Sequence, residues 1–435
     1  MARKLQRVNV ATVLLWGREV GAVAWNADRG LASFEFTPSF ISSGFDIAPL
    51  TMPRRPGVFS FPGLAPKTFR GMPGLLADVL PDRFGNRLID LWLQRHGRAP
   101  GDFSPVERLC YIGSRGMGAL EFKPSFVRSP REATPVEVSE LVELARAVVA
   151  DRMDLITSLD HNQRAIESII RVGTSAGGAR AKAVISWNPA TNEVRSGQVS
   201  GPPGFEPWLL KFDGIHDEAL GDPEGFGRAE YAYSLMAKSA GVEMSECHLF
   251  EEGGRAHFMT RRFDRTPTNE KLHLQSLCGL AHYDFNLPGA YGYESILQSV
   301  QQLNLGYPAL VQAYRRMIFN IMARNQDDHT RNVSFLMDQG GMWRLAPAYD
   351  IIWAYNPAGE WTDRHQLSVN GKRDGFSRED LLVPAREYGI KSAEHLIEEV
   401  GDAVGRWPTF AATAELPREF MKTIGDSHRR SLAKA

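Results

Sequence analysis

The chain has 435 residues, a formal net charge of −1, and 43% hydrophobic and 23% charged residues. This is an ordinary globular composition, long enough for two or three domains with sizeable cores. It excludes a disordered chain, and the near-zero charge gives no case for whole-chain binding to nucleic acid or membrane.

The three cysteines, Cys110, Cys247 and Cys278, are far apart and form no C-x-x-C pair. Neither a disulfide framework nor a structural zinc site is supported, and a reducing compartment is expected. The start, Met1-Ala2-Arg3-Lys4-Leu5, leads into strand-like sequence and not a signal-peptide core. No apolar run approaches the ~18–20 residues that span a bilayer. A cytoplasmic protein without a membrane segment is expected.

In chain order, Val8 to Trp16 and Val20 to Trp25 flank Gly17-Arg18-Glu19 and predict a hairpin, and Ser33 to Thr37 alternates like a strand. Residues 51–80, rich in Pro and Gly, read as loop. Helices are predicted after Pro81 through Leu93 and over Val106 to Tyr111, then a strand at Ala119 to Phe122. This is a small α/β unit with nothing catalytic in it. Arg54, Arg55, Lys67 and Arg70 form either a docking patch or a solvated loop. An apolar stripe predicts a helix from about Pro135 to Ser158.

Gly173-Thr174-Ser175-Ala176-Gly177-Gly178 comes next, leading through Ala179-Arg180-Ala181-Lys182 into the strand Ala183 to Trp187. Small residues let backbone N–H groups approach phosphates. The run is neither a Walker A loop nor G-x-G-x-x-G, and a Gly-rich turn is equally compatible with it. The strand Pro207 to Asp213 carries Lys211, either an edge-strand lysine facing water or a lysine reaching nucleotide phosphates. Asp222-Pro223 signals a following helix. Its Glu230 either pairs with Lys211 or lies on the surface. Phe263, after the strand-like Gly254 to Arg262, lies either against an adenine ring or in the core.

Beyond residue 270 the pattern is mostly helical, with helices predicted at Ser295–Leu303, Ala309–Arg324, Arg378–Tyr388, Glu394–Trp407 and Arg418–His428. Between them stands Asn325-Gln326-Asp327-Asp328-His329-Thr330-Arg331-Asn332, followed by two strand-like runs, Val333 to Met337 and Met342 to Ala346, and then Tyr349-Asp350. Asp327 and Asn332 have the D-x-x-x-x-N spacing of a kinase catalytic loop. Phosphoryl transfer needs a carboxylate to accept the nucleophile's proton, and a carboxylate and an amide oxygen to hold Mg²⁺ on the phosphates. Asp327, Asp350 and Asn332 are those groups. A polar helix end is the alternative, but the buried helix before the loop and the hairpin after it make a rigid mount.

Five motifs in order, Thr174 to Lys182, Trp208-Leu209-Leu210-Lys211, Arg262-Phe263-Asp264-Arg265, Asn325 to Asn332 and Ala346-Pro347-Ala348-Tyr349-Asp350, resemble the HipA-type serine/threonine kinases of bacterial toxin–antitoxin systems. The resemblance covers nearly the whole chain, including Leu80-Pro81-Asp82-Arg83 and Gly116 to Phe122. It implies an α+β, bilobal kinase-like fold with an N-terminal α/β subdomain at 1–130, an N-lobe with the Gly-rich loop at 131–268 and a mostly helical C-lobe at 269–435. It implies Asp327 as catalytic base, Asn332 and Asp350 as Mg²⁺ ligands, and Lys211 on the phosphates. Gly173, Thr174, Ser175, Ala176, Gly177, Gly178, Arg261, Phe263 and His329 would complete the ATP site. Ser175 would be autophosphorylated, although the adjacent Thr174 offers a second hydroxyl. The substrate would be a protein, typically an aminoacyl-tRNA synthetase. The partner would be a HipB-like DNA-binding antitoxin, with DNA reached only through it. Arg261 departs from the carboxylate expected in some relatives. A small-molecule phosphotransferase, or a catalytically weak binding protein, are the competing readings.

Overall fold

The structure is a computed structural model that describes residues 6–127, 130, 132–150, 180–215 and 225–434. Among these residues the strands form three antiparallel sheets. The first has β1 (Val10–Leu15), β2 (Arg18–Asn26), β3 (Leu31–Phe36), β4 (Val58–Phe59) and β5 (Leu120–Lys123) in the order β4-β3-β2-β1-β5. The expected hairpin forms, but its turn falls at Trp16-Gly17. Both residues have positive φ, 50° and 76°, the geometry that matches the twist of a two-residue hairpin. Residues 51–80 are more ordered than the loop expected: β4 and two one-turn helices, Pro66–Phe69 and Gly74–Ala77, lie there. Buried Phe69, Leu75 and Leu76 anchor them, and runs this short leave no periodicity to read.

The second sheet carries β6 (Lys182–Trp187), β7 (Val194–Ser196), β8 (Glu206–Lys211), β9 (Cys247–Glu252) and β10 (Arg255–Arg261) in the order β7-β6-β8-β10-β9. β8, with Lys211, is therefore the central strand and not an edge. Side chains alternate across its two faces. Ala183, Ile185, Trp208, Leu210 and Met259 face a core shared with the helices Arg83–Arg95 and Val138–Val149. Lys182, Lys211 and Phe258 share the other face, since Lys211 pairs in register with both.

The third sheet, β11 (His273–Ser276), β12 (Ser334–Met337) and β13 (Trp343–Leu345), contains the predicted hairpin and one added strand. The helices Tyr293–Gln302, Tyr307–Met322, Arg378–Glu387, Ala393–Gly405 and Arg418–Ser427, near their predicted bounds, share one core with Phe335 and Leu345 of this sheet. One further helix, Trp407–Thr413, breaks from its predecessor at Arg406. Pro408 lacks the N–H needed to continue the preceding helix but suits the first turn of a new one. Among the described residues no helix is long and apolar enough to cross a membrane.

The first sheet's unit is fastened to the remainder by polar contacts. Trp16 Nε1 donates to the Lys271 carbonyl at 2.7 Å, Trp343 Nε1 donates to that of Asp46 at 2.9 Å, and the Asp78 carboxylate accepts from Ser276 N and Oγ. Two histidines take part as neutral rings. His282 Nε2 accepts from Gly74 N at 3.0 Å, and the fully buried His273 meets the Ile47 carbonyl at 2.9 Å. Burial pushes both from 6.5 to about 4. Below pH 6.5 the unfolded chain therefore binds protons that the folded chain refuses, so stability falls as pH drops. Thermal melts should show the midpoint falling by several degrees between pH 6.5 and pH 4, and variants His273→Gln and His282→Gln should flatten that slope.

Candidate active site

Asp213, just past β8, is buried and caps the start of the helix Phe226–Ser239: its carboxylate accepts from Gly225 N at 3.3 Å and Gly227 N at 3.1 Å. Gly227 is required here, because a Cβ would sit 2.0 Å from the Ala256 carbonyl oxygen of β10. The helix is thereby pressed on the sheet, with Glu230 in its second turn facing Lys211. Glu230 is 2% exposed and accepts a short hydrogen bond from Lys211 Nζ. Of the two readings open for Glu230, the structure has the pair.

Lys211 Nζ also donates to Asp350 Oδ1. One ammonium thus bridges a carboxylate from the helix after β8 and another from the far half of the chain, 139 residues away in sequence. Burial disfavours charge on all three groups. For Asp350 the nearby Lys211 and Lys182 outweigh it and hold the carboxyl at about 2, whereas Lys211 is held above its ordinary value by Asp350 and Glu230. For Glu230 burial wins and the value is raised. Asp350 adopts a left-handed backbone, φ 51°, which Asp tolerates better than most residues but which still carries strain. Its main chain is held by Asn325, whose Nδ2 donates to Asp350 O at 3.4 Å and to Asn320 Oδ1 at 3.0 Å.

The predicted loop follows the buried helix Tyr307–Met322. Asn332 Nδ2 donates to the Asp327 carbonyl at 2.8 Å, closing the loop and orienting the amide. Asn332 and Asp350 line one small pocket together with Asn325, His329 and Tyr349. The donor set is one carboxylate and one amide oxygen. Among the described residues no three His, Cys, Asp or Glu side chains form a metal cage. The carboxylate of Asp350 and the amide oxygen of Asn332 are donors of the kind Mg²⁺ takes, its shell being completed by water and phosphate. Asp327 is 41% exposed on its side chain, with His329 Nε2 3.7 Å from its Oδ1. Its neighbour Asp328 is buried and accepts from Tyr293 Oη at 2.7 Å, His365 Nδ1 at 2.7 Å and Gln366 N at 2.8 Å.

Lys211, Asp350, Asn332, His329 and Asp327 are thus brought together, directly or through the pocket. Arg261 is not: it pairs in register with Trp208, on the sheet face opposite Lys211, and its ion pairs run to Glu206 at 3.2 Å and Glu246 at 3.4 Å. Phe263 packs on Tyr349, with ring centroids 5.3 Å apart. Its neighbours Arg262 and Arg265 close on buried Asp264, which also accepts from Gly118 N at 2.7 Å and so ties the motif to the N-terminal unit. Gly173, Thr174, Ser175, Ala176, Gly177 and Gly178, and the predicted helix start at Asp222-Pro223, lie outside the described residues. Sequence reasoning missed three partners. Lys182 lies beside Lys211 on the same face, with its Nζ 3.6 Å from buried Asp82. Trp361 and His365 hold the two adjacent aspartates. Only Lys182 left a signal, its place at the end of a Gly-rich run, and register is needed to aim it.

Residues 11–123 match the HipA N-terminal domain, and residues 174–408, more than half the chain, match the HipA-like C-terminal domain. The chain belongs to the HipA family. The HipA of the Shewanella oneidensis MR-1 toxin–antitoxin system, solved with HipB and its operator DNA, matches with a TM-score of 0.65 at 16% identity, over 97% of this chain and 96% of that one. The described residues share that fold, mixed helix and sheet. A Helicobacter pylori proinflammatory kinase, CtkA, matches at a TM-score of 0.35 and 15% identity, over 52% of this chain and 89% of its own, too low for anything to rest on it. A curated Haemophilus influenzae protein, provisionally described as a kinase, is 27% identical over 140 residues. That match takes in 28% of this chain and 40% of the relative's length.

Removing the Lys211 ammonium leaves two carboxylates facing each other, one of them buried. Breaking a buried pair in this way costs about 3–5 kcal/mol. Lys211→Met should lower the unfolding free energy on that scale in denaturant melts. The double variant Lys211→Met/Glu230→Gln should recover part of the loss, since the buried charge goes with its partner.

Proposed function

We propose that this HipA-family protein is an ATP- and Mg²⁺-dependent serine/threonine protein kinase and the toxin of a HipA–HipB-like module. It is divided into an N-terminal subdomain at 1–130, an N-lobe at 131–268 and a C-lobe at 269–435. The bridge from Lys211 to both Glu230 and Asp350 is the observation that carries this reading. A lysine paired with a helix glutamate, facing a carboxylate that follows the catalytic loop, is the arrangement by which kinases hold nucleotide phosphates and metal.

In this reading Lys211, oriented by Glu230, contacts the phosphates, with Lys182 as a second cation on the same sheet face. Asn332 and Asp350 hold Mg²⁺, which when bound neutralises charge developing on the phosphates. Asp327 orients the acceptor hydroxyl and takes its proton. His329 lies between base and pocket. Phe263 borders the adenine. The loop from Gly173 to Gly178 covers the phosphates through its N–H groups. Phosphate on Ser175 would add about −1.5 to −2 charge there and repel ATP.

The acceptor is a translation-related protein, by family resemblance an aminoacyl-tRNA synthetase. The Shewanella complex supports a HipB-like partner through which DNA is reached. The open exposure of Asp327 favours a protein acceptor over an enclosed small-molecule site.

Asp327→Ala should lower transfer of labelled γ-phosphate to a lysate protein by about 10²–10⁴-fold while leaving ATP affinity largely intact. Label appearing in a soluble product would favour a small-molecule phosphotransferase, and equal transfer by both proteins would reject the base assignment. Ser175→Ala should abolish self-inactivation during prolonged incubation with ATP. Mass spectrometry finding no phosphate on Thr174 or Ser175 of the unmutated protein would count against that regulation.

A further inference from the structure

The segment Trp361–Gln366, between Asp350 and the helix Arg378–Glu387, grips both aspartates of the catalytic loop. Trp361 Nε1 donates to Asp327 Oδ1 at 2.6 Å. Four residues on, His365 and Gln366 N take the two oxygens of Asp328. The segment is also tied to Gln326, whose Nε2 donates to the Thr362 carbonyl at 3.2 Å, and it is closed on itself by Gln366 Nε2 donating to the Trp361 carbonyl. Behind it, Arg429 Nη1 donates to His365 Nε2 at 2.8 Å, which leaves the His365 proton on Nδ1, facing Asp328. Trp361 itself is half-buried, and Asp327 is 41% exposed on its side chain. Among the described residues Oδ2 of Asp327 has no hydrogen-bond partner, so the indole fixes one oxygen and leaves the other open.

We infer that Trp361 is a positioning residue for phosphoryl transfer: its indole N–H locks the Asp327 carboxylate so that Oδ2 faces the acceptor hydroxyl. This rests on the kinase reading above. A free carboxylate rotates about its last bond and presents either oxygen in many orientations. One charge-assisted hydrogen bond, held by a segment that is itself fastened at Asp328, removes that freedom before the acceptor arrives. In the transfer the acceptor O–H bond breaks as its oxygen bonds to the γ-phosphorus, the bond to the leaving nucleoside diphosphate breaks, and the proton passes to Asp327 Oδ2. Trp361 neither gives nor takes a proton.

Trp361→Phe keeps an aromatic side chain and removes the N–H donor, together with the five-membered part of the indole. It should lower kcat about 10–100-fold, the scale of one hydrogen bond to a charged group, with KM for ATP and the melting temperature nearly unchanged. A readout independent of turnover is the Trp361 indole N–H resonance, assigned by its loss in Trp361→Phe. In unmutated protein without nucleotide it should lie downfield, and it should move upfield in Asp327→Ala. Activity in unmutated protein with kcat unchanged or raised in Trp361→Phe would overturn this inference alone, a rise meaning that the indole blocks the base. A fall in kcat matched by a rise in KM for ATP and a lowered melting temperature would also overturn it, as a merely structural effect. An unmutated protein that transfers phosphate to no acceptor would overturn the kinase reading and this inference together.

Discussion

One buried ammonium decides how the two halves of this chain meet. Lys211 stands on the central strand of the second sheet, and its two partners come from elements built separately: a helix laid on that sheet and a strained turn that follows the third sheet. Buried Glu230 in particular is costly there without a partner, because burial disfavours its charge. A buried ion pair adds little net stability over a well-packed apolar alternative, so its value lies in fixing geometry. Here it fixes where the Lys211 ammonium sits relative to Asp350, the cation and the carboxylate proposed to meet phosphate and metal.

The rest of the fold supports that meeting point at successive distances. Asp213 and Gly227 set the helix that carries Glu230. Asn325 bonds both the backbone of Asp350 and Asn320 near the end of the helix Tyr307–Met322, which ties the Asp327 loop to the Asp350 turn. The N-terminal unit is part of this scaffold and not an appendage: Asp264 collects Arg262, Arg265 and Gly118, and Asp82 reaches the lysine beside Lys211. In that last pair burial dominates on both sides, lowering Lys182 and raising Asp82.

How much of this is legible in the sequence depends on the distance over which a signal acts. Asp327 and Asn332 sit on one tight loop, so their spacing alone carries their relation, and the hairpin after them brings Asp350 into range. Lys211 and Glu230 are one strand and one helix apart, which leaves the sequence open between a pair and a surface Glu. Facing across a sheet is harder. Arg261 reads as a site residue until register puts it beside Trp208, opposite Lys211. Trp361 and His365 leave no pattern, because they act from an irregular loop whose path is fixed by tertiary hydrogen bonds. The turn at Trp16-Gly17 and the break at Arg406 show the same division, since local chemistry names a turn or a stop while packing sets its position.

The most direct test is a double-mutant cycle on Mg²⁺–ATP affinity, measured by calorimetry for Lys211→Met, Asp350→Asn and the pair. If the ammonium and the carboxylate act as one unit around the nucleotide, the double variant should bind little more weakly than either single variant. Losses that simply add would contradict that coupling, and single variants that bind Mg²⁺–ATP as tightly as the unmutated protein would mean that the site described here is not the nucleotide site.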